Sequence, residues 1–210
     1  MSISDAYIQS FIPARDELLM EMEQFALNNH VPIMQLPAIE NLLQILRIHN
    51  PKSILEVGSA IGYSAIRMAK ALPEVKIVTI ERDEERINNA RTFIARSDVK
   101  ENIVLVEGDA LEVDIKSNYP SFDAVFIDAA KGQYQKFFDL YSPLVSSGGV
   151  LYIDNMYMHG LSDLEMSEVP RRKRTMIRNL HKFADWVIQN ADYDSTFFPV
   201  GDGLLICKKR

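Results

Sequence analysis

Asp128, Asp154 and Asn155 each close an apolar run, in Phe126-Ile127-Asp128 and in Tyr152-Ile153-Asp154-Asn155. Two carboxylates and an amide form a hard oxygen set suited to Mg²⁺, with positions left for water and substrate. Each of these residue types is also common as a loop cap. Three of them at the carboxyl ends of two strands, where an open parallel sheet gathers its ligands, favour the metal. Lys131 follows in Asp128-Ala129-Ala130-Lys131-Gly132. A lone lysine is ordinarily solvated surface, but beside a cation its pKa falls and it can serve as a general base.

A second constellation lies earlier. Ile54-Leu55-Glu56-Val57-Gly58-Ser59-Ala60-Ile61-Gly62-Tyr63-Ser64 runs from apolar residues into an acid and two glycines, then into Ala65-Ile66-Arg67-Met68-Ala69-Lys70. That order spells strand, tight turn and helix, the local architecture of a nucleotide site. The spacing is not G-x-G-x-x-G, and Glu56 precedes Gly58. A dinucleotide would bring a pyrophosphate to this turn, where a carboxylate repels it. A ligand with a cationic end, such as S-adenosylmethionine, would be attracted. Glu81, about twenty residues beyond the turn, can take both hydroxyls of a ribose. It can equally be a first-turn helix acid beside Asp83, Glu84 and Glu85. Asp109, in Glu107-Gly108-Asp109-Ala110, can accept from an adenine amino group, with the Ala110 backbone at the ring edge. Asp109 can also cap a short helix, and the two roles are compatible. These acids do not separate S-adenosylmethionine from NAD. A nicotinamide-dependent oxidoreductase is therefore the alternative from another class, with Glu56 and the glycine spacing against it.

The elements that must position these residues alternate. Strands are expected at Ser53–Val57, Lys76–Ile80, Ile103–Glu107, Asp123–Asp128 and Val150–Asp154, with helices at Tyr63–Ala71, Asp83–Ser97 and Gln133–Leu144 between them. This is the α/β signature of a parallel sheet covered on both faces. Helices near Asp5–Gln9, Ala14–Asn28 and Pro37–His49 precede the first strand, with Pro37 in a first turn and Pro51 ending the last. An irregular segment from Asn155 to Val169 leads to a long helix, Pro170–Asn190. Strands Tyr193–Pro199 and Leu204–Lys208 follow, joined as a hairpin by Gly201-Asp202-Gly203. No repeat or linker interrupts the chain, so 1–210 is expected to be one domain, with N-terminal helices over 1–50 and the sheet core over 51–210.

Composition narrows the class. With 210 residues, 47% of them hydrophobic and 25% charged, the chain can bury a sizeable core. The single cysteine, Cys207, excludes an internal disulfide and a cysteine zinc cluster. Neither a signal peptide nor a bilayer-spanning run is visible, so a cytoplasmic protein without membrane contact is expected. The net charge of −6 argues against a wholly basic surface and leaves room for one basic patch.

With these residues assembled, the chain resembles the metal-dependent class I O-methyltransferases, the family of catechol and caffeoyl-CoA O-methyltransferases, from about Val31 to Lys208. The resemblance rests on Leu55-Glu56-Val57-Gly58 through Gly62-Tyr63-Ser64, on Glu81, on Asp128 with Lys131, and on Asp154-Asn155. It implies a Rossmann-like, mostly parallel seven-stranded sheet whose last strand is antiparallel, with S-adenosylmethionine and a divalent cation, Mg²⁺, as cofactors. By the same resemblance Ser64 holds the methionine carboxylate, Asp128 its ammonium and the metal, and Asp154 and Asn155 the rest of the metal shell. Glu81 holds the ribose, Met34 lines the cofactor site, Lys131 is the catalytic base, and a homodimer is the family habit. Ala129-Ala130 stands where the animal catechol enzymes have His-Trp, which points away from that branch. Val31-Pro32-Ile33-Met34, Asp128 through Phe138, and Pro199 through Leu204 look like segments of the bacterial branch that methylates 5-hydroxyuridine at the tRNA wobble position.

Arg171-Arg172-Lys173-Arg174, followed by Arg178 and Lys182, bears on that substrate. A charge run is ordinarily a solvated helix face. Cations at a helix N-terminus, however, oppose the macrodipole and gain nothing locally. Arg171, Arg174, Arg178 and Lys182 share one face at helical spacing, with Met176, Leu180, Phe183 and Val187 roughly opposite. Such a face is suited to phosphate and favours an anionic acceptor, either the tRNA anticodon loop or a phenylpropanoid-CoA ester, over a small catechol. A 5-hydroxyuridine offers its hydroxyl and O4 as a two-oxygen chelate.

Overall fold

A computed structural model describes residues 7, 9–128 and 132–210. The expected helix Asp5–Gln9 lies for the most part outside the described residues, and Ala129, Ala130 and Lys131 lie wholly outside them. Seven strands form one mixed sheet in the order β3 (Ile103–Glu107), β2 (Lys76–Glu81), β1 (Ser53–Val57), β4 (Phe122–Ile127), β5 (Val145–Ile153), β7 (Leu204–Lys209), β6 (Tyr193–Phe198). The chain divides into two compact units, Met1–Asp109 and Ala110–Arg210. Among the described residues no helix is long and apolar enough to cross a membrane.

The first unit contains α1 (Glu17–Asn28), α2 (Leu36–His49), β1 (Ser53–Val57), α3 (Tyr63–Ala71), β2 (Lys76–Glu81), α4 (Glu84–Arg96) and β3 (Ile103–Glu107). β1 pairs in parallel with β2, and β2 with β3. β1 and β2 are buried along almost their whole length, as apolar runs covered on both faces must be. α1 begins later than its apolar pattern suggests because Asp16 caps it, accepting from the Leu19 N–H at 2.9 Å. Its buried residues are Leu19, Met22 and Ala26, while Phe25 meets Phe93 of α4 edge-on. α2 carries proline in its first turn and ends at Asn50 in the left-handed region, immediately before Pro51. Asp83 caps α4 by accepting from the Arg86 N–H at 3.0 Å.

The second unit contains β4 (Phe122–Ile127), α5 (Tyr134–Tyr141), β5 (Val145–Ile153), α6 (Arg174–Gln189), β6 (Tyr193–Phe198) and β7 (Leu204–Lys209). β4 and β5 are parallel, β5 and β7 antiparallel, and β6 and β7 form the terminal hairpin. β5 starts five residues before the expected Val150, through Ser146-Ser147-Gly148-Gly149. The register with β4 shifts between Phe122 and Ala124, and a Cβ on Gly149 would come within 2.7 Å of the Asp123 carbonyl oxygen. A bulge that needs glycine therefore looked like a loop in the sequence. α5 stops at Tyr141, with Ser142–Leu144 in a 3₁₀ turn. The long basic helix also divides: Arg171–Lys173 form a 3₁₀ turn, and α6 proper begins at Arg174. Ile177, not Met176, joins Leu180, Phe183 and Val187 on its buried face. Under that face Tyr134, Phe138, Phe183, Trp186 and Tyr193 pack ring against ring.

Candidate active site

In the first unit the turn after β1 is suspended from β2. The N–H groups of Gly58 and Ser59 both donate to the Ile80 carbonyl, at 3.1 and 3.0 Å. The chain then takes positive φ at Gly58 (103°), Ala60 (46°) and Gly62 (82°). Gly62 is required on two counts: its φ is left-handed, and a Cβ there would lie 3.2 Å from the Ile94 side chain of α4. α3 follows directly, and an α-helix leaves its first N–H groups without intrahelical acceptors, a fit for a carboxylate. Ser64 stands in that first turn.

The two acids of this region separate by their partners. Glu81 is 8% exposed, and its carboxylate accepts from the backbone N–H groups of Ala60 (2.8 Å), Arg82 (2.9 Å) and Asp83 (3.0 Å). It thereby ties the glycine turn to the start of α4 and is held in one orientation. Glu56 is fully buried, and its oxygens accept from the hydroxyls of Ser64 and of Thr79, its cross-strand partner. Burial pushes its carboxyl up to about 7, against the two hydroxyl donors and with help from the Glu81 charge. The sequence reading aimed this acid at the ligand. In the structure it grips Ser64 and Thr79 inside the unit, so any influence on a ligand passes through the placement of Ser64. The Ser59 hydroxyl is buried in the turn with no hydrogen-bond partner among the described residues. Met34 is buried in the segment leading to α2. Asp109 pairs with Arg82 at 2.9 Å. A turn, not the expected short helix, follows it from Ala110, whose carbonyl accepts from the Tyr141 hydroxyl.

In the second unit Ile127 and Ile153 are register partners at the ends of β4 and β5, so Asp128 and Asp154 emerge side by side. The Asp154 N–H donates to the Ile127 carbonyl at 3.0 Å, which fixes that exit. Asn155 takes φ 66°, a left-handed conformation that asparagine tolerates. Its Nδ2 stands 2.6 Å from Asp128 Oδ1 and 3.4 Å from Asp154 Oδ2. The three side-chain heads therefore converge, and rotation of the amide by half a turn presents a third oxygen in place of the nitrogen. Among the described residues no group of three or more His, Cys, Asp or Glu side chains could hold a metal. The two-carboxylate, one-amide set is the arrangement that fits a hard divalent cation. Lys131 lies outside the described residues.

Sequence reasoning missed the residues that hold this set from behind. The Tyr134 hydroxyl lies 3.3 Å from the Asp154 carbonyl oxygen and 3.5 Å from that of Asn155. Burial, and then the charges of Asp128, Asp154 and Asp202, push that hydroxyl's pKa well up, so it stays a donor. The β6–β7 hairpin tip closes on the segment after Asn155. Met156 N–H donates to the Gly203 carbonyl (3.0 Å), Tyr157 N–H to the Asp202 carbonyl (2.7 Å), and His159 N–H to the Asp202 carboxylate. Gly201-Asp202-Gly203 carried a signal for a turn but none for this contact.

The basic run is less uniform than its spacing suggests. Arg174 is committed internally, its guanidinium donating to the carbonyls of Val169 (2.9 Å) and Ser167 (2.7 Å). It caps the incoming loop. Arg171, Arg172 and Arg178 are exposed and make no ion pair among the described residues, and Lys173 is half-buried.

Comparison with known proteins agrees with this arrangement. The sequence profile described as "O-methyltransferase" matches residues 9–210. Caffeoyl-CoA O-methyltransferase from Populus kitakamiensis is 29% identical over 97% of this chain and 91% of its own. The Medicago sativa enzyme of the same name is 30% identical over 98% and 89%. Among solved structures, a candidate caffeoyl-CoA O-methyltransferase from Staphylococcus aureus superposes with a TM-score of 0.89 at 32% identity, covering 98% of both chains. The O-methyltransferase TomG from Streptomyces achromogenes, involved in tomaymycin synthesis and solved with S-adenosylmethionine, gives 0.82 at 25% identity over 98% and 95%. Set beside the glycine turn of one unit and the acidic strand ends of the other, these matches make the chain a member of the O-methyltransferase family, an S-adenosylmethionine-dependent enzyme that methylates oxygen.

Proposed function

We propose that this enzyme is a divalent-cation-dependent O-methyltransferase whose acceptor carries two neighbouring oxygens, and that the acceptor is 5-hydroxyuridine at the wobble position of tRNA. The convergence of Asp128, Asp154 and Asn155 carries this reading, because such a set leaves cation positions for two acceptor oxygens. A bound divalent cation supplies Lewis acidity that lowers the pKa of the acceptor hydroxyl. The chain's own residues do the rest. Asp128, Asp154 and Asn155 orient the acceptor, and Lys131 takes its proton. The first turn of α3 with Ser64 holds the methionine carboxylate, Glu81 the ribose, and Asp109 with Ala110 the adenine edge. Met34 lines this pocket. The acceptor oxygen then bonds to the methyl carbon as the sulfur–methyl bond breaks, releasing S-adenosylhomocysteine.

The exposed cations Arg171, Arg172 and Arg178, with Lys173 beside them, support a polyanionic acceptor. Recognition of an unpaired anticodon base suits RNA, whose single-stranded loops can be splayed out. A second reading, an acceptor of the phenylpropanoid-CoA type, is favoured by the plant caffeoyl-CoA relatives across nearly the whole chain. Nucleoside mass spectrometry of tRNA from cells lacking the gene separates the two. Accumulated 5-hydroxyuridine with absent 5-methoxyuridine supports the first reading. Unchanged tRNA, with turnover of caffeoyl-CoA by the pure protein, supports the second. Asp154→Ala is expected to abolish divalent-cation binding in calorimetry and methyl transfer to either acceptor, with S-adenosylmethionine binding retained.

A further inference from the structure

His159 is an exposed residue of the second unit whose backbone is firmly held. Met158 (φ 50°), His159 (56°) and Gly160 (80°) are three successive residues in the left-handed region. Two of them are not glycine, a conformation that persists only where the surroundings fix it. Here Met158 is anchored in the core at 2% exposure, and Asp202 does the rest. One Asp202 oxygen accepts from the His159 N–H, and the other lies 3.4 Å from ring Nδ1. The Asp202 side chain is 13% exposed and the imidazole 66%. A nearly buried carboxylate therefore fixes the His159 backbone and stands, outside hydrogen-bonding geometry, beside Nδ1 of a solvent-facing ring. The same loop begins at Asn155, and hairpin residues 202 and 203 bind it at positions 156 and 157 as well.

We propose that His159 contacts the acceptor substrate, its Nε2 hydrogen-bonding a polar group of the acceptor beyond the two chelating oxygens, and that Asp202 is its positioning residue. An exposed imidazole gains nothing for folding by being held in a left-handed backbone; a preorganised contact for a ligand does. The inference rests on the methyl-transfer reading of Asp128, Asp154 and Asn155.

The test uses full-length enzyme with two acceptors, an anticodon stem-loop bearing 5-hydroxyuridine and caffeoyl-CoA. His159→Gly and His159→Asn both keep a left-handed backbone at little cost, so loss of the ring is separated from loss of the fold. Each is expected to raise the acceptor KM about tenfold, the effect of one lost hydrogen bond, with kcat and S-adenosylmethionine affinity unchanged. Asp202→Asn is expected to raise KM less, and to add nothing in the His159→Gly background, since it acts through the ring. An unchanged KM in both His159 variants overturns the inference while leaving the methyl-transfer reading intact. An Asp202→Asn effect of full size in the His159→Gly background also overturns it, by showing that Asp202 merely holds the loop. Failure of the wild-type enzyme to methylate either acceptor overturns the reading beneath it, and the inference with it.

Discussion

Replacing Glu56 by glutamine is expected to change how stability depends on pH, by an amount the structure allows to be worked out. The carboxyl is fully buried, and burial raises its pKa from 4.5 to about 7. Below pH 4.5 it is protonated in both folded and unfolded chains and contributes nothing to the difference. Between pH 4.5 and about 7 the unfolded chain has released its proton and the folded chain has not, so stability falls as pH rises. Above about 7 the loss is complete. At about 1.4 kcal/mol per pKa unit, a rise from 4.5 to about 7 makes that loss about 3 kcal/mol. Glutamine cannot ionise, and it keeps the volume. The Ser64 and Thr79 hydroxyls can rotate, one donating to its oxygen and one accepting from its nitrogen. Urea unfolding of both proteins at pH 5, 6, 7 and 8 isolates the effect, because histidines and other titrating groups cancel in the difference. The variant should gain on the wild type as pH rises to about 7 and hold that gain beyond it. A difference that stays flat with pH would refute the claim that burial raises the Glu56 carboxyl in the folded enzyme.

Other outcomes follow from single contacts. Tyr63→Phe removes a hydroxyl that donates to Glu23 and accepts from the buried Arg67, each at 2.7 Å, and should cost about 2 kcal/mol in chemical denaturation. Arg174→Ala should lower stability by about 1–2 kcal/mol, because the carbonyls of Ser167 and Val169 lose their donor, whereas Arg172→Ala should leave it unchanged. Arg171→Glu with Arg172→Glu should raise the KM for an RNA stem-loop and flatten its salt dependence, leaving S-adenosylmethionine affinity intact in calorimetry. Gly203→Ala places a methyl 2.7 Å from Tyr157 Cγ at φ 85°; divalent-cation affinity and thermal stability should both fall as the segment after Asn155 is pushed away.

The parts of the fold that were legible were those where one signal sufficed. β1 and α3 ran as read because an apolar run and the Gly58–Gly62 turn bound them. The early start of β5 was hidden because a bulge needs the same Ser and Gly residues that mark a loop, and only pairing with Phe122 and Ala124 on either side of the shift distinguishes the two. α6 began later than its charge pattern implied. Four helical-looking cations do not reveal that the first three wind more tightly, nor that the fourth caps the loop behind it.

The site divides along the same physical line. The convergence of Asp128, Asp154 and Asn155 was legible because strand ends in a parallel sheet put consecutive chemistry on one edge, and the period of the strand does the placing. Tyr134 and Asp202 were not, because they reach that edge from α5 and from a hairpin distant in sequence, and nothing local marks the meeting. Glu56 and Glu81 show the subtler limit. Both end or nearly end buried strands, and both looked like acids awaiting a ligand. Glu81 meets three backbone N–H groups, which cannot reverse, and so becomes a fixed acceptor at the turn. Glu56 meets two hydroxyls, which can reverse, and so can gain or lose its proton without leaving a partner stranded. A cationic methyl donor near Ser64 would favour the ionised form of Glu56, so donor affinity should rise with pH through about 7 in the wild type and not in Glu56→Gln. The acid that seemed to face the ligand would then sense it through a serine.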